Sequence, residues 1–197
     1  MKTYHSRISF LISFFLVLSV LVSCTNFQRA INTKKLNVPE KPVDNFLVLF
    51  VEYGDEITVL DEEHYNKALK GKFNNLEHQR FRDNMSDVSW NIFSPTLAFD
   101  YRRIFDTHKE YSFADFQKGL DQPNLEYVLL INMKNNDALG EVLRRNFQVF
   151  LFDKNQEDPL WTGFGYYNPG NLNQKGTARR LLNRIKKDLI ADGLIMS

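Results

Sequence analysis

Apolar residues along this chain recur with two periods, separated by polar stretches rich in Asn, Asp, Gly and Pro. Residues 46–51 (FLVLFV) and 127–133 (YVLLINM) are continuous apolar runs too short for a helix. Such runs are apolar on both faces and predict central strands covered on each side. Residues 147–153 (FQVFLFD) and 160–167 (LWTGFGYY) flank a polar loop, 154–159, and predict a hairpin. In its second arm Trp161, Gly163 and Gly165 share one face, while Leu160, Thr162, Phe164 and Tyr166 share the other. Two glycines on the Trp161 face predict the close approach of another element. Residues 88–93 (VSWNIF) alternate and predict one more strand.

Other stretches follow the helical period. Tyr65, Ala68, Leu69, Phe73, Leu76 and Phe81 fall at helical spacing within residues 62–84, where Gly71 and Asn74-Asn75 allow one kinked helix or two short ones. Ser94-Pro95 reads as a cap and first helical position, followed by Leu97, Ala98, Tyr101, Ile104 and Phe105 on one helical face. Ser112 with Asp115 is a capping-box-like start for a short helix through Lys118, with Gly119 as its stop. Gln122-Pro123-Asn124 marks a turn. The clearest helix carries Ala178, Leu181, Leu182, Ile185, Leu189 and Ile190 on one face; Gly193 gives it a left-handed end, over which Leu194 folds back on Leu189.

Three strands alternating with helices imply parallel crossovers, and the late hairpin adds antiparallel strands. The expected fold is mixed α/β: a five-stranded mixed sheet with helices on it, forming a single domain over residues 46–197.

What precedes that domain has a different character. Residues 8–22 (ISFLISFFLVLSVLV) are uncharged and mostly apolar, follow Lys2 and Arg7, and end at Leu21-Val22-Ser23-Cys24. The run is shorter than the roughly 20 residues that span a bilayer and suits the central region of a signal peptide. An aliphatic residue three before a cysteine, with a small residue just before it, resembles the bacterial lipobox. That resemblance implies a signal peptide over residues 1–23, cleavage between Ser23 and Cys24, and acylation of Cys24. Two or three acyl chains anchor stably where one would not. Residues 25–45 hold two prolines, scattered charges and no sustained period, and read as a flexible tether running from Cys24 to the domain. The alternative is that part of this segment docks on the domain as a strand.

Composition narrows the function classes. Cys24 is the only cysteine, which excludes an internal disulfide. The 25 Lys and Arg balance 24 Asp and Glu, and this balance argues against a nucleic-acid partner. Phe, Tyr and Trp number 17, 8 and 2, ample for one apolar core.

Few residues invite a chemical reading. His64 and His78 are too far apart on a helix to share an ion, since helical metal pairs sit three or four residues apart. Asp61-Glu62-Glu63 reads as the acidic first turn of a helix. Gly163, Gly165 and Gly170 fall in a hairpin arm and beyond it, away from the strand-to-helix turn that a phosphate loop needs. No HExxH, Walker-type or GxSxG pattern occurs. The expectation is therefore no catalytic residue, no metal and no cofactor. The polar face of the last helix is basic: Lys175, Arg179, Arg180, Arg184, Lys186 and Lys187 against Asp188 alone. Of these, Arg179, Arg180, Arg184 and Lys187 are the candidate partner-binding residues.

The order of elements, the lipobox and the closing helix with its Gly-Leu-Ile end loosely resemble envelope lipoproteins built like the amino-terminal domain of TolB, of the LpoB type. The resemblance implies a non-catalytic periplasmic interaction module, anchored to a membrane and engaging another envelope protein. Thr25, where some lipoproteins carry an inner-membrane retention aspartate, points to the outer membrane, facing the periplasm. A small-ligand or glycan-binding domain is the alternative, on the aromatic supply of Trp161, Phe164, Tyr166 and Tyr167. A hydrolase is a third reading that no linear motif supports.

Overall fold

The structure, a computed structural model, describes residues 32–37, 39, 41–43, 45–52, 57–70, 79–93, 98–106, 109–134, 145–167 and 174–196. Ser23 and Cys24, with the rest of the expected leader, lie outside the described residues, as do Gly71, Asn74, Asn75, His78 and Gly170. The chain folds as a mixed α/β structure, as the periodicity predicts. Six strands form one sheet: β1 (Asn32–Lys35), β2 (Phe46–Glu52), β3 (Ala98–Phe99), β4 (Tyr127–Lys134), β5 (Arg145–Asp153) and β6 (Pro159–Tyr167). Their order across the sheet is β1-β6-β5-β4-β2-β3. Strand β2 runs parallel to both β3 and β4, while β4, β5, β6 and β1 pair antiparallel in succession.

Four of the five expected strands are present, and β1 and β3 are additional: residues 32–35, read as tether, dock against β6 with Lys35 opposite Trp161. The amides of Leu36 and Asn37 continue that attachment to the Leu160 carbonyl. Val43, from the same segment, is buried and donates its amide to the Leu194 carbonyl. Backbone pairing does not require an apolar pattern, so a strand as polar as NTKK leaves no periodic trace.

Helix α1 (Glu62–His64) runs on as a π-helical turn, Tyr65–Leu69, and ends where Lys70 turns extended. Asp61 caps it, its carboxylate accepting from the His64 amide at 2.8 Å. Helix α2 (Gln79–Phe93) contains residues 88–93, which are therefore not a strand. Phe81, Met85, Val88, Ser89 and Phe93 all face inward, a 3.6-residue period that a six-residue window mimics as alternation. The helix expected over residues 97–105 is instead the short β3 followed by a 3-10 turn, Tyr101–Arg103. Asp100 divides them: its extended backbone ends the strand, and its carboxylate caps the turn by accepting from the Arg102 amide.

Helix α3 (Phe113–Leu120) starts at its Ser112 cap as expected but runs past Gly119. That glycine is a packing residue, since a Cβ there would collide with the Phe105 ring. Helix α4 (Lys175–Ala191) ends in the left-handed Gly193, at φ 71°, and the Leu194 amide donates to the Leu189 carbonyl at 2.9 Å. Asn124 takes a positive φ of 67° in the expected turn. Among the described residues no helix is long and apolar enough to cross a membrane.

Alternation along the strands sorts the core into two layers. On one face, α2 and α4 lie side by side over the sheet, with Phe46 edge-on to Phe93 and Phe50 edge-on to Phe81. Leu181, Leu182, Ile185 and Leu189 of α4 are fully buried here. On the other face, Leu47, Leu49, Val51, Val128 and Leu130 are covered by Tyr65, Phe105, Phe116 and Leu120 from α1, the 3-10 region and α3. Phe105 and Phe116 stack at 5.4 Å.

Candidate functional site

Two surface features stand out, one on each face of the sheet. The first is a groove of about 530 Å³ on the face that carries α1 and α3. Those elements cover β2, β4 and part of β5, leaving the β5-β6-β1 half open. The register builds the floor: Phe150, Thr162 and Lys34 lie opposite one another in one row, and Gln148 lies opposite Phe164 in the next. Thr58 and Val59 wall one side, and Leu36 and Asn37 the other. The first wall is pinned by the Leu60 amide, which donates to the Glu157 carbonyl at 2.9 Å. Asp158 and Lys34, of opposite charge, are both exposed.

Gln148 is the unusual member of this floor. It is only 4% exposed, and its Oε1 is buried without a hydrogen-bond donor. A buried acceptor in that state costs about 1–3 kcal/mol. The aromatic residues singled out in the sequence divide here. Phe164 is half-buried and lines the groove, but Trp161 is fully buried on the opposite face, donating its indole N–H to Asp192 Oδ2 at 2.7 Å. The alternation that separated Trp161 from Phe164 thus assigns them to different layers. The side chains of Tyr166 and Tyr167 lie outside the described residues.

The second feature is a charged depression of about 430 Å³ at the seam between α2, the 3-10 turn and α4. Arg102 is its hub. Its guanidinium reaches Asp100 Oδ2 and Asp87 Oδ1, each at 2.8 Å, and Lys175 Nζ holds Asp87 Oδ2 at 2.8 Å. Hydrogen bonds from Lys175 and Arg102 hold the Asp87 carboxyl below its usual range. Burial works to raise Asp100, but hydrogen bonds from Arg102 and the Ser86 hydroxyl outweigh it and its carboxyl is also lowered. Its bonds to Asp100 raise the Arg102 guanidinium further. Beside this network the Arg103 guanidinium lies 5.5 Å from the centre of the Trp90 ring, itself 37% exposed.

The basic face of α4 is only partly free. Arg184 is half-buried and bonded to Asp188 Oδ2 at 3.1 Å, and Lys186 donates to the Ile92 carbonyl at 2.8 Å, tying α4 to the end of α2. Arg179, Arg180 and Lys187 are exposed, and Arg179 lines the seam depression. Sequence reasoning placed Arg179 but missed Trp90 and Arg103, because Trp90 sat in a supposed strand and Arg103 in a supposed helix. A helical reading of residues 79–93 would have put Trp90 on the outer face.

His64 serves α1 itself: its Nδ1 lies 2.7 Å from Asp61 Oδ1, within the cap. Among the described residues no three His, Cys, Asp or Glu side chains converge as a metal site.

No family model matches the chain, and no curated protein matches it. Among solved structures, it is similar to a point variant of the PelC dodecamer from Paraburkholderia phytofirmans, at 11% identity and a TM-score of 0.38, covering 82% of this chain and 98% of that one. The PelC dodecamer from the same organism in another crystal form matches at 9% identity and a TM-score of 0.37, over 79% of this chain and 98% of that one. Both of these are PelC structures, not TolB or LpoB.

Proposed function

We propose that this chain is a lipid-anchored domain of the bacterial cell envelope that acts by binding, presenting the seam between α2 and α4 to an acidic partner protein. The observation that carries this reading is Trp90, exposed beneath Arg103 and beside Arg179. Trp and Arg dominate the energetics of protein interfaces because each buries a large rigid surface with a polar handle. The internal pairs use up Arg102 and Lys175, leaving Arg103 and Arg179 exposed for carboxylates on a partner.

The LVSC sequence supports acylation at Cys24, with residues 1–23 removed. Strand β1 begins eight positions after Cys24, so about 28 Å of extended chain is the most that separates the anchor from the sheet. A domain so closely held suits a partner at the same membrane. Thr25 in place of aspartate supports the outer membrane, with the domain facing the periplasm.

Crosslinking in intact cells, followed by capture of the full chain, tests the binding reading. One protein should be recovered, and the capture should weaken with salt and fall at least tenfold in a Trp90→Ala, Arg179→Glu variant. Capture of no specific protein, or capture insensitive to both substitutions, would overturn it. Labelling with radioactive palmitate tests the anchor separately: Cys24→Ala should abolish label and release the chain from membranes.

A further inference from the structure

We infer that the outer edge of β1 receives an extended, acidic segment of a partner protein as a seventh strand, with carboxylates beside Lys34 and Lys35 and an apolar side chain over Leu36. This surface is separate from the α2–α4 seam: β1 and β3 are the two ends of the sheet, and the seam's 3-10 turn follows β3.

The backbone supplies the template. Strand β1 pairs antiparallel with β6 on one side, and among the described residues no strand pairs with its other side. In such a strand every second residue aims its N–H and C=O away from the neighbour, and those groups pair readily with an incoming strand. The strand is four residues long, and the Leu36 and Asn37 amides hold the next two residues to the Leu160 carbonyl. At about 3.3 Å per residue this gives an edge of about 20 Å, fixed from behind and long enough for one short extended segment.

The side chains select the occupant. Lys34 and Leu36 line the wall of the groove, so alternation puts Lys35 on the opposite face of the sheet. Both lysines are exposed, and an added strand meets one positive charge on each of its faces. Opposite charges across a strand pair stabilise it, and like charges oppose it. Two copies of this chain joined through β1 would set lysine beside lysine, which disfavours that occupant. Leu36 is 40% exposed, and an apolar neighbour on the added strand would shield it. The segment that fits is therefore extended, with adjacent carboxylates flanked by a β-branched residue. A polyanion without a peptide backbone would satisfy the lysines but leave the edge unpaired.

The test uses the full chain in zwitterionic lipid nanodiscs and a capped, fluorescein-labelled peptide, Thr-Val-Glu-Glu-Val-Thr, whose palindromic order suits either strand direction. Fluorescence anisotropy should show it binding at least tenfold tighter than two controls. Thr-Val-Lys-Lys-Val-Thr reverses the charge, and Thr-Pro-Glu-Glu-Pro-Thr keeps the charge but lacks the strand donors. Amide hydrogen exchange over residues 32–37 should slow when the glutamate peptide is bound. A Lys34→Glu, Lys35→Glu variant should reverse the preference and take the lysine peptide, and Leu36→Ala should weaken binding severalfold. The Trp90→Ala, Arg179→Glu variant should bind the peptide unchanged, so failure at this edge and failure of the seam reading are separate results. No binding of the glutamate peptide, equal binding of the proline peptide, or a preference unaltered by the lysine reversal would overturn the inference. So would exchange that stays fast over residues 32–37, binding lost in the Trp90→Ala, Arg179→Glu variant, or dimerisation of the chain through β1 in place of peptide binding.

Discussion

The two faces of the sheet are covered by unlike means, and their difference explains where the molecule can bind. On one face lie α2 and α4, of 15 and 17 residues. At 1.5 Å per residue they run about 22 and 25 Å, close to the length of β2 and β4 beneath them, and at about 10 Å apiece they cover most of the sheet's width. Every inward side chain there is sealed: Val48, Leu129, Ile131, Val149, Leu151 and Trp161 are at most 4% exposed. The other face has only the short α1 with its π turn, the 3-10 turn and the eight-residue α3, a helix of about 12 Å. These cover the strands from β2 to part of β5 and stop. Long helices make a closed face on which binding must use the outer surface of the helices; short ones leave part of the sheet itself accessible.

Substitutions on the two faces should therefore differ in kind. The largest effect is expected for Trp161→Ala, which opens a cavity on the closed face and strands Asp192, costing about 3–5 kcal/mol. Urea denaturation measures it, and a loss below 1 kcal/mol would mean that face is looser than its burial implies. On the covered half of the other face, Gly119→Ala drives a methyl into Phe105 and should cost about 1–3 kcal/mol through overpacking. If Gly119 were only a helix stop, alanine there would be tolerated.

The charged seam predicts an acid response. Asp87 and Asp100 lie below the ordinary 3.8 in the folded chain, so the unfolded state binds more protons as pH drops. Their contribution is complete above about pH 4 and drains away as pH falls through the lowered folded values. An Asp87→Asn, Asp100→Asn variant should lose roughly 1 kcal/mol at pH 7, solvent screening allowed for, and show a shallower loss between pH 4 and pH 2. Parallel acid limbs would show that the network contributes nothing. The smallest effect belongs to the open half: Thr162→Val should change stability by no more than about 0.5 kcal/mol, because Thr162 is only half-buried in the groove floor. A cost above 1 kcal/mol would show that the groove floor is part of the core.

Much of this architecture was legible because the core strands and α4 obey one period each. Residues 46–51, 127–133, 147–153 and 160–167 declared themselves by apolar runs, and α4 by its stripe and its Gly193 stop. The failures cluster where two readings share the same residues. Residues 88–93 alternate over six positions yet belong to a 15-residue helix, and only the wider window containing Phe81 and Met85 separates the two. Gly119 looked like punctuation because the sequence does not reveal that Phe105 packs against it. Of the candidate sites, the sequence located Arg179 and Phe164; Trp90 needed that wider helical window, and Arg103 and Gln148 carry no linear signal.

Local pattern by itself determined the mixed α/β class, the parallel and antiparallel pairing, the single cysteine in its LVSC setting and the basic α4, because periodicity and composition act over a few residues at a time. The tertiary structure alone decided that residues 32–35 close the sheet as a sixth strand, that Arg184 and Lys186 are tied within the fold, and that Gln148 is buried beside a groove with an acceptor to spare. Those outcomes depend on which distant segments meet, and a polar strand, an ion pair or an unpaired amide becomes defined only once its neighbours are in place.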